Sequence, residues 1–160
     1  LEYSFCLKQY FENFNFKVVL TRKDKNGLYS PFAKNKKKDD MAKREKIIKS
    51  TNPDIVVSLH MNSFPSKASN GSQVFYKKES EPSFLLAKSI QKQLVQTVPN
   101  ARKTPQTGDY FMLNCNSAPS VIVECGFLSN KEEDGLLATK QHKEKICYAI
   151  FCGVISFFAS

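Results

Sequence analysis

The sequence predicts an α/β domain of three layers, in which helices flank a largely parallel central sheet. Two short runs, "IVV" from Ile55 and "VIV" from Val121, are apolar throughout, as expected of parallel strands buried between two helix layers. Segments with apolar residues at helical spacing alternate with these strands. Because the chain has 160 residues, we expect a single domain with one hydrophobic core spanning residues 1–160.

The first half of the chain predicts two helices, two strands and one long loop. The spacing of apolar residues and the position of Pro, Gly and Asn decide these assignments. In chain order, the segments are a loose helix in "LEYSFCLKQYFENF", a strand in "FKVVLTR", a loop in "KDKNGLYSPFAKNKKK", a helix in "DDMAKREKIIKST" and a strand in "PDIVVSLH".

The second half predicts two further strands, "GSQVFYKK" and "PSVIVECGF", and three helical segments. The helix between these strands has apolar residues at helical spacing, namely Leu86, Ile90, Leu94 and Val98. A short helical turn begins at Asn130, which together with Glu133 has the spacing of a capping box. The last helix is predicted at about residues 140–158.

Composition and charge limit the classes of function. The longest apolar run, "ICYAIFCGVISFFA", is shorter than the roughly 20 residues that span a bilayer, so no membrane-spanning segment is predicted. The five cysteines form no CxxC pair, which argues against a zinc ribbon. Residues 1–50 contain 13 Lys and Arg but only 6 Asp and Glu. The densest part, around Lys34–Lys38, suits a polyanionic partner, although charge alone favours a solvated surface.

Two predicted strands end in residues whose side chains can act in catalysis or bind a metal ion. "IVVSLH" ends in His60, and "VIVE" ends in Glu124, whose other neighbours "CGF" are also apolar. A carboxylate in such surroundings is costly unless a cation or a hydrogen-bond network stabilises it. An imidazole that holds a metal and a carboxylate that accepts a proton from water suit a zinc hydrolase. Each residue alone could also be structural. No further protein ligand is evident, since His142 in "TKQHKEK" is predicted to be exposed to solvent.

Several blocks resemble the zinc-dependent N-acetylmuramoyl-L-alanine amidases, and most of all the CwlD-type spore-cortex amidases of endospore-forming Firmicutes. The resemblance covers nearly the whole chain. It includes "VVLTR", "GSQVFY" and "LAKSIQKQL", and its most specific blocks are "SLHMNS" and "VIVECGFLSN".

This resemblance implies an enzyme that hydrolyses the amide between N-acetylmuramic acid and the L-alanine of the peptidoglycan stem peptide. Glu124 matches the catalytic glutamate that activates water, and His60 matches a ligand of the Zn²⁺ cofactor. The resemblance also implies export to the cell wall or the spore-cortex compartment. An accessory protein is possible, and its identity is open.

Other matched positions are candidates for substrate binding. These are Arg22, Asn62, Ser63 and Arg102, with Thr21 beside Arg22. Arg44 matches a family arginine, and a salt bridge to Asp40 at helical spacing is an equally good explanation for it.

The family pattern begins with a strand that carries a further zinc-ligand histidine, followed by a loop glutamate. In this sequence the matching first helix begins at Leu1, so we expect both ligands and the first strand to lie upstream of residue 1. Glu2 lies within the helix and is a poor substitute. Residues 1–160 alone are therefore expected to be inactive.

Two alternatives remain open from the sequence. One is a wall-binding pseudoenzyme without metal, against which the presence of both His60 and Glu124 argues. The other is a polyanion-binding domain centred on Lys34–Lys38. This reading, which includes nucleic acid as the polyanion, ranks last, because we expect no exposed aromatic residues between the lysines for base stacking.

Overall fold

A computed structural model describes residues 1–160 as six helices and four strands. The elements, in chain order, are α1 (Glu2–Glu12), α2 (Lys36–Thr51), β1 (Val56–Asn62), β2 (Gln73–Tyr76), α3 (Glu81–Thr97), β3 (Gln106–Thr107), α4 (Phe111–Asn114), β4 (Ser120–Phe127), α5 (Lys131–Leu137) and α6 (Lys140–Phe158).

The four strands form one open sheet in the order β1-β4-β2-β3. β1 is parallel to β4 and β2 is parallel to β3, whereas β2 and β4 are antiparallel. Helices cover the sheet, so the predicted α/β class is confirmed. One edge of β1 has no neighbour, which makes β1 an edge strand, while β4 is paired on both sides.

The main core lies between the sheet and helices α1, α3 and α6. The side chains of Leu86, Ile90 and Leu94 on α3 are fully buried, as their helical spacing predicted. Gly153 lets α6 approach α3 closely, because a Cβ atom there would lie 2.5 Å from Cα of Ile90. Helices α3 and α6 therefore form a closely packed layer on one face of the sheet.

Alternation along β1 separates the core face from the candidate site. Val57, Leu59 and Met61 pack against the main core. Since successive strand residues point to opposite faces, Ser58 and His60 point away from that core. The opposite face is the side on which α2 packs, where Ile48 is buried outside the main cluster.

The strand predicted in "FKVVLTR" is wrong. Residues 16–20 are extended but form no ladder with another strand. Their burial still alternates as in a strand, since Phe16 and Val18 pack against the core whereas Lys17 and Val19 are exposed. The β-branched residues thus produce extended backbone, and a strand needs a neighbour to supply its hydrogen bonds.

Two other local predictions need adjustment. Helix α2 begins at Lys36, three residues before the predicted start, because the Asn35 side chain accepts a hydrogen bond from the Lys38 amide. Asn130 caps α5 as predicted, but the Glu133 carboxylate does not complete a capping box and bonds elsewhere. No helix has the length and hydropathy needed to cross a membrane.

Candidate active site

The register of the sheet brings His60 and Glu124 together. In the parallel pair β1–β4, His60 lies directly opposite Glu124. Residues in register share a face, and neighbouring strands are about 5 Å apart. The two side chains are therefore adjacent on the face opposite the main core, where His60 is exposed, toward the carboxyl ends of both strands, where α/β domains build their sites.

Glu124 is a buried carboxylate without a full set of partners. Its Oε2 atom is inaccessible to solvent and accepts no hydrogen bond from any residue of the chain. Burial raises the pKa of Glu124 to about 7. A group with this pKa exchanges a proton readily near neutral pH, which suits a general base. An orphaned carboxylate oxygen also indicates a missing cation or donor.

His60 is held in place by its own strand. Its Nε2 atom and Ser58 Oγ share a hydrogen bond of 2.9 Å along the same face of β1. Burial lowers the pKa of His60, and the positive charge of Arg44 lowers it further. The imidazole is therefore neutral at neutral pH, which is the form that binds metal.

Arg44 belongs to α2 and is close enough to His60 to lower its pKa. It forms a salt bridge with Asp40 of the same helix. Its Nε donates to Asp40 Oδ2 at 2.6 Å, and its guanidinium also reaches Thr21 Oγ1 at 3.4 Å. The salt bridge considered from the sequence is confirmed. Burial opposes ionisation of Asp40, but hydrogen bonds from Arg44 and from the Leu28 amide keep its pKa below the ordinary value.

The four candidate substrate-binding residues lie around the carboxyl ends of the strands. Arg22 follows Thr21 and is close enough to Asp40 to lower the pKa of that carboxyl. Asn62 ends β1, and Ser63 follows it at the surface. Arg102 is bonded through its backbone to Ser72, just before the residue of β2 that pairs with Glu124. None of the four side chains is engaged in an ion pair.

Sequence reasoning missed a clamp between the loop after β1 and the turn after β4. Residues 128–133 hold residues 62–71 through four hydrogen bonds. These are Leu128 N to Asn62 O (2.8 Å), Phe64 N to Ser129 Oγ (3.0 Å), Asn130 Nδ2 to Lys67 O (3.1 Å) and Gly71 N to Glu133 Oε1 (2.7 Å).

Glu133 is the central residue of this clamp. Its second oxygen, Oε2, accepts from the Phe127 amide at 2.8 Å, so one carboxylate joins the end of β4 to the loop that follows β1. Gly71 fits there with a φ of +94°, and a Cβ atom would lie 2.1 Å from the Asn100 carbonyl oxygen. In the sequence, the only sign that Glu133 joins these two segments was its position in the acidic stretch "SNKEED".

The remaining potential metal ligands lie elsewhere. The prediction that His142 is exposed is wrong, because this one residue of the first turn of α6 is buried, with 9% of its surface accessible, while Lys140 and Gln141 are exposed. Glu2 forms a salt bridge of 2.9 Å with Lys143. No three His, Cys, Asp or Glu side chains are grouped in a way that could hold a metal ion. Of these residue types, His60 and Glu124 are the two that the sheet register places directly opposite each other.

Comparison with known proteins identifies the family. A model of N-acetylmuramoyl-L-alanine amidases (Amidase_3) matches residues 1–156. The chain belongs to this family. As an N-acetylmuramoyl-L-alanine amidase it is a hydrolase of peptidoglycan, which agrees with the resemblance in the sequence.

Individual relatives support this assignment. The chain is 28% identical over 162 residues to the germination-specific N-acetylmuramoyl-L-alanine amidase of Bacillus subtilis, covering 99% of this chain and 68% of that protein. It is 32% identical over 151 residues to an uncharacterized cell wall amidase of Bacillus anthracis, of which it spans only 27%.

Solved structures agree on the fold. The CwlD amidase of Clostridioides difficile, solved in complex with the GerS lipoprotein, matches with 32% identity and a TM-score of 0.93, covering 98% of this chain and 83% of that one. The catalytic domain of CwlV from Bacillus (Paenibacillus) polymyxa has a TM-score of 0.85 at 22% identity, with coverage of 99% and 82%. The latter likeness supports the fold alone.

Proposed function

We propose that this amidase cleaves the amide between the lactyl group of N-acetylmuramic acid and L-alanine, with Glu124 as the general base and His60 as a zinc ligand. The observation that carries the proposal is the buried, unpartnered Oε2 of Glu124 in register with the neutral imidazole of His60. Both groups suit a site that is completed by a cation.

Zinc would polarise the scissile carbonyl and lower the pKa of water. His60 would contribute one nitrogen ligand, and Arg44 would favour the neutral ring that ligation requires. The unpartnered oxygen of Glu124 fits a location beside such a cation, because positive charge would stabilise the buried carboxylate.

Glu124 would remove a proton from the attacking water and return it to the leaving amine of L-alanine. Burial raises the pKa of Glu124, which favours return of the proton, whereas a cation beside it would favour the ionised form that accepts the proton. Arg22 and Arg102, which have no ion-pair partner, would bind carboxylates of the substrate. Asn62 and Ser63 would orient the peptide next to His60.

The missing ligands would come from an additional strand at the open edge of β1. Two observations support this part of the proposal. β1 has one unpaired edge, and residues 16–20 are extended, alternate in burial and have no strand partner. A strand added at this edge would lie next to β1 and bring further ligands to His60. Residues 1–160 alone would then bind zinc weakly and show no turnover.

The names of two similar proteins support a proposal for the biological setting. The B. subtilis relative is named a germination-specific amidase, and the C. difficile structure contains the GerS lipoprotein. By analogy, we propose that this amidase acts outside the cytoplasmic membrane during spore-cortex maturation and that an accessory protein assists it.

The test is the identity of the products that the full-length protein releases from purified peptidoglycan. Mass spectrometry should find free stem peptides that begin with L-alanine, and glycan chains whose muramic acid has lost its peptide. Addition of a chelator should stop the release, and zinc should restore it. Binding to peptidoglycan with no peptide release in the presence of zinc would instead indicate a wall-binding pseudoenzyme.

A further inference from the structure

Phe32 is the most exposed of the large apolar side chains, with 95% of its surface accessible, whereas the next, Phe14, reaches 62%. It lies in a tight turn, Ser30–Ala33, closed by a hydrogen bond of 3.0 Å from the Ala33 amide to the Ser30 carbonyl. Pro31 restricts the backbone at the second position of this turn. An apolar side chain displayed in this way indicates a binding surface.

The turn is fixed to helix α2 by carboxylates. The Ser30 amide donates to Asp39 Oδ2 and the Leu28 amide donates to Asp40 Oδ1, both at 2.6 Å. These charge-assisted bonds hold the loop on both sides of Tyr29. The exposure of Phe32 is therefore a property of an ordered turn anchored to α2.

Lysines surround this aromatic residue. Lys34, Lys36, Lys37 and Lys38 are exposed, and none of them forms a salt bridge. Lys36 lies over the ring of Tyr29, 5.4 Å from its centroid. The two nearby carboxylates, Asp39 and Asp40, are already paired with Lys43 and Arg44. No aromatic residue lies between these lysines, but Tyr29 and the exposed Phe32 directly precede them. We call Tyr29–Lys38 the basic aromatic turn.

The basic aromatic turn lies on the same side of the molecule as the candidate active site. Helix α2 leads through a short connection into β1, so its beginning is near the end of β1, where His60 lies. Arg44 on α2 is close enough to influence His60 electrostatically. Lys36 is two turns before Arg44, or about 12 Å along the helix axis.

We propose that the basic aromatic turn binds the glycan strand of peptidoglycan outside the cleavage site, with Phe32 packed against a sugar face and the lysines attracting stem-peptide carboxylates. This inference rests on the proposed function and adds a substrate-binding surface to it. A sugar presents an apolar face that suits an aromatic ring, and uncleaved stem peptides supply negative charge. An anionic membrane also attracts aromatic and basic residues. Membrane binding at this turn would, however, bring the adjacent active site against the bilayer, away from the polymer.

The experiment measures co-sedimentation of the full-length protein with purified sacculi, in a Glu124→Gln background that prevents digestion. Phe32→Ala should weaken binding about three- to tenfold at every salt concentration, because it removes an aromatic contact. Phe5→Ala is the control, since Phe5 is an exposed phenylalanine of a different element, α1. Replacing Lys36, Lys37 and Lys38 by Gln should weaken binding at low salt, with the difference fading as salt screens charge.

Parallel sedimentation with phosphatidylglycerol vesicles and binding to a single-stranded oligonucleotide identify the partner. The proposal requires that Phe32→Ala reduce binding to sacculi more than binding to either of these probes. Unchanged binding to sacculi would overturn it, and so would a loss restricted to vesicles or to the oligonucleotide. Because binding is measured without turnover, this result is independent of whether peptides are released, which tests the proposed function.

Discussion

Strands β4 and β1 carry the two chemical groups of the site in different surroundings. β4 is hydrogen-bonded on both sides, and Val121 and Val123 leave 1% and 0% of their surface accessible. β1 is paired on one side only, and most of its residues are half-buried. Glu124 is therefore placed by a central strand of the sheet, and His60 by an edge strand.

Because the two strands differ, the proposed general base Glu124 and the proposed zinc ligand His60 depend on different parts of the structure. The environment that raises the pKa of Glu124 is already formed within residues 1–160, because its cause is burial between paired strands. Under the proposed function, a metal ion at His60 would depend on further ligands brought by a strand at the open edge of β1. Variants of the two strands should therefore separate proton transfer from metal binding.

The largest effect is expected for Glu124→Gln in the full-length protein. Loss of a general base costs on the order of 10²- to 10⁴-fold in turnover, while zinc binding should persist because His60 is unchanged. Peptide release from purified peptidoglycan gives the rate, and metal analysis after dialysis gives the zinc content. Activity within a few-fold of wild type would remove Glu124 from the mechanism.

His60→Ala should mainly lower the affinity for zinc. An imidazole is one of only three protein ligands expected at a catalytic zinc site, so zinc affinity should fall by more than about tenfold, since even residues that merely orient a ligand contribute that much. Competition with a chromophoric chelator measures the affinity. His142→Ala is the control, because His142 lies at the start of α6. Equal zinc affinity in His60→Ala and wild type would make His60 structural.

How far the sequence predicted these features depends on the range of the interactions involved. The strands ending in His60 and Glu124 were predictable, because runs such as "IVV" and "VIV" indicate buried strands from local pattern alone. Their roles came from a resemblance to a family. "FKVVL" has the same local pattern, yet it is not paired, since a strand needs a neighbour that local sequence does not reveal.

Side-chain environments were harder to predict. His142 is flanked by polar residues in the sequence, but the packing of α6 buries it. Glu133 was at capping-box spacing, yet its carboxylate bonds to Gly71, 62 residues away. Phe32 was one apolar residue in a polar loop, and only the hydrogen bonds that its backbone amides donate to Asp39 and Asp40 show that this loop is fixed. Each of these outcomes depends on contacts between segments that are distant in sequence.

Cavity-forming variants test whether β1 stays an edge strand. Val123→Ala should lower the free energy of unfolding by about 2–3 kcal/mol, the transfer and cavity cost of a buried valine. Val57→Ala should cost about 1 kcal/mol if β1 is half-exposed, but nearly as much as Val123→Ala if an added strand covers it. Chemical denaturation of the full-length protein distinguishes the two cases. A small cost for Val57→Ala there would contradict the proposed additional strand.

The smallest effect is expected for Glu133→Gln, which affects the clamp between the ends of both strands. A glutamine offers one acceptor oxygen to the two amides of Gly71 and Phe127, so one of them loses its partner. The cost should be about 1–2 kcal/mol of unfolding free energy. Hydrogen exchange should show faster exchange at these two amides, and KM should rise more than kcat falls because the loop beside His60 becomes looser. Glu132→Gln is the matched control, since that neighbouring carboxylate is exposed and accepts no hydrogen bond. If both variants behave alike, Glu133 does not position the loop, and the two strands are held together by the backbone register of β1 and β4 alone.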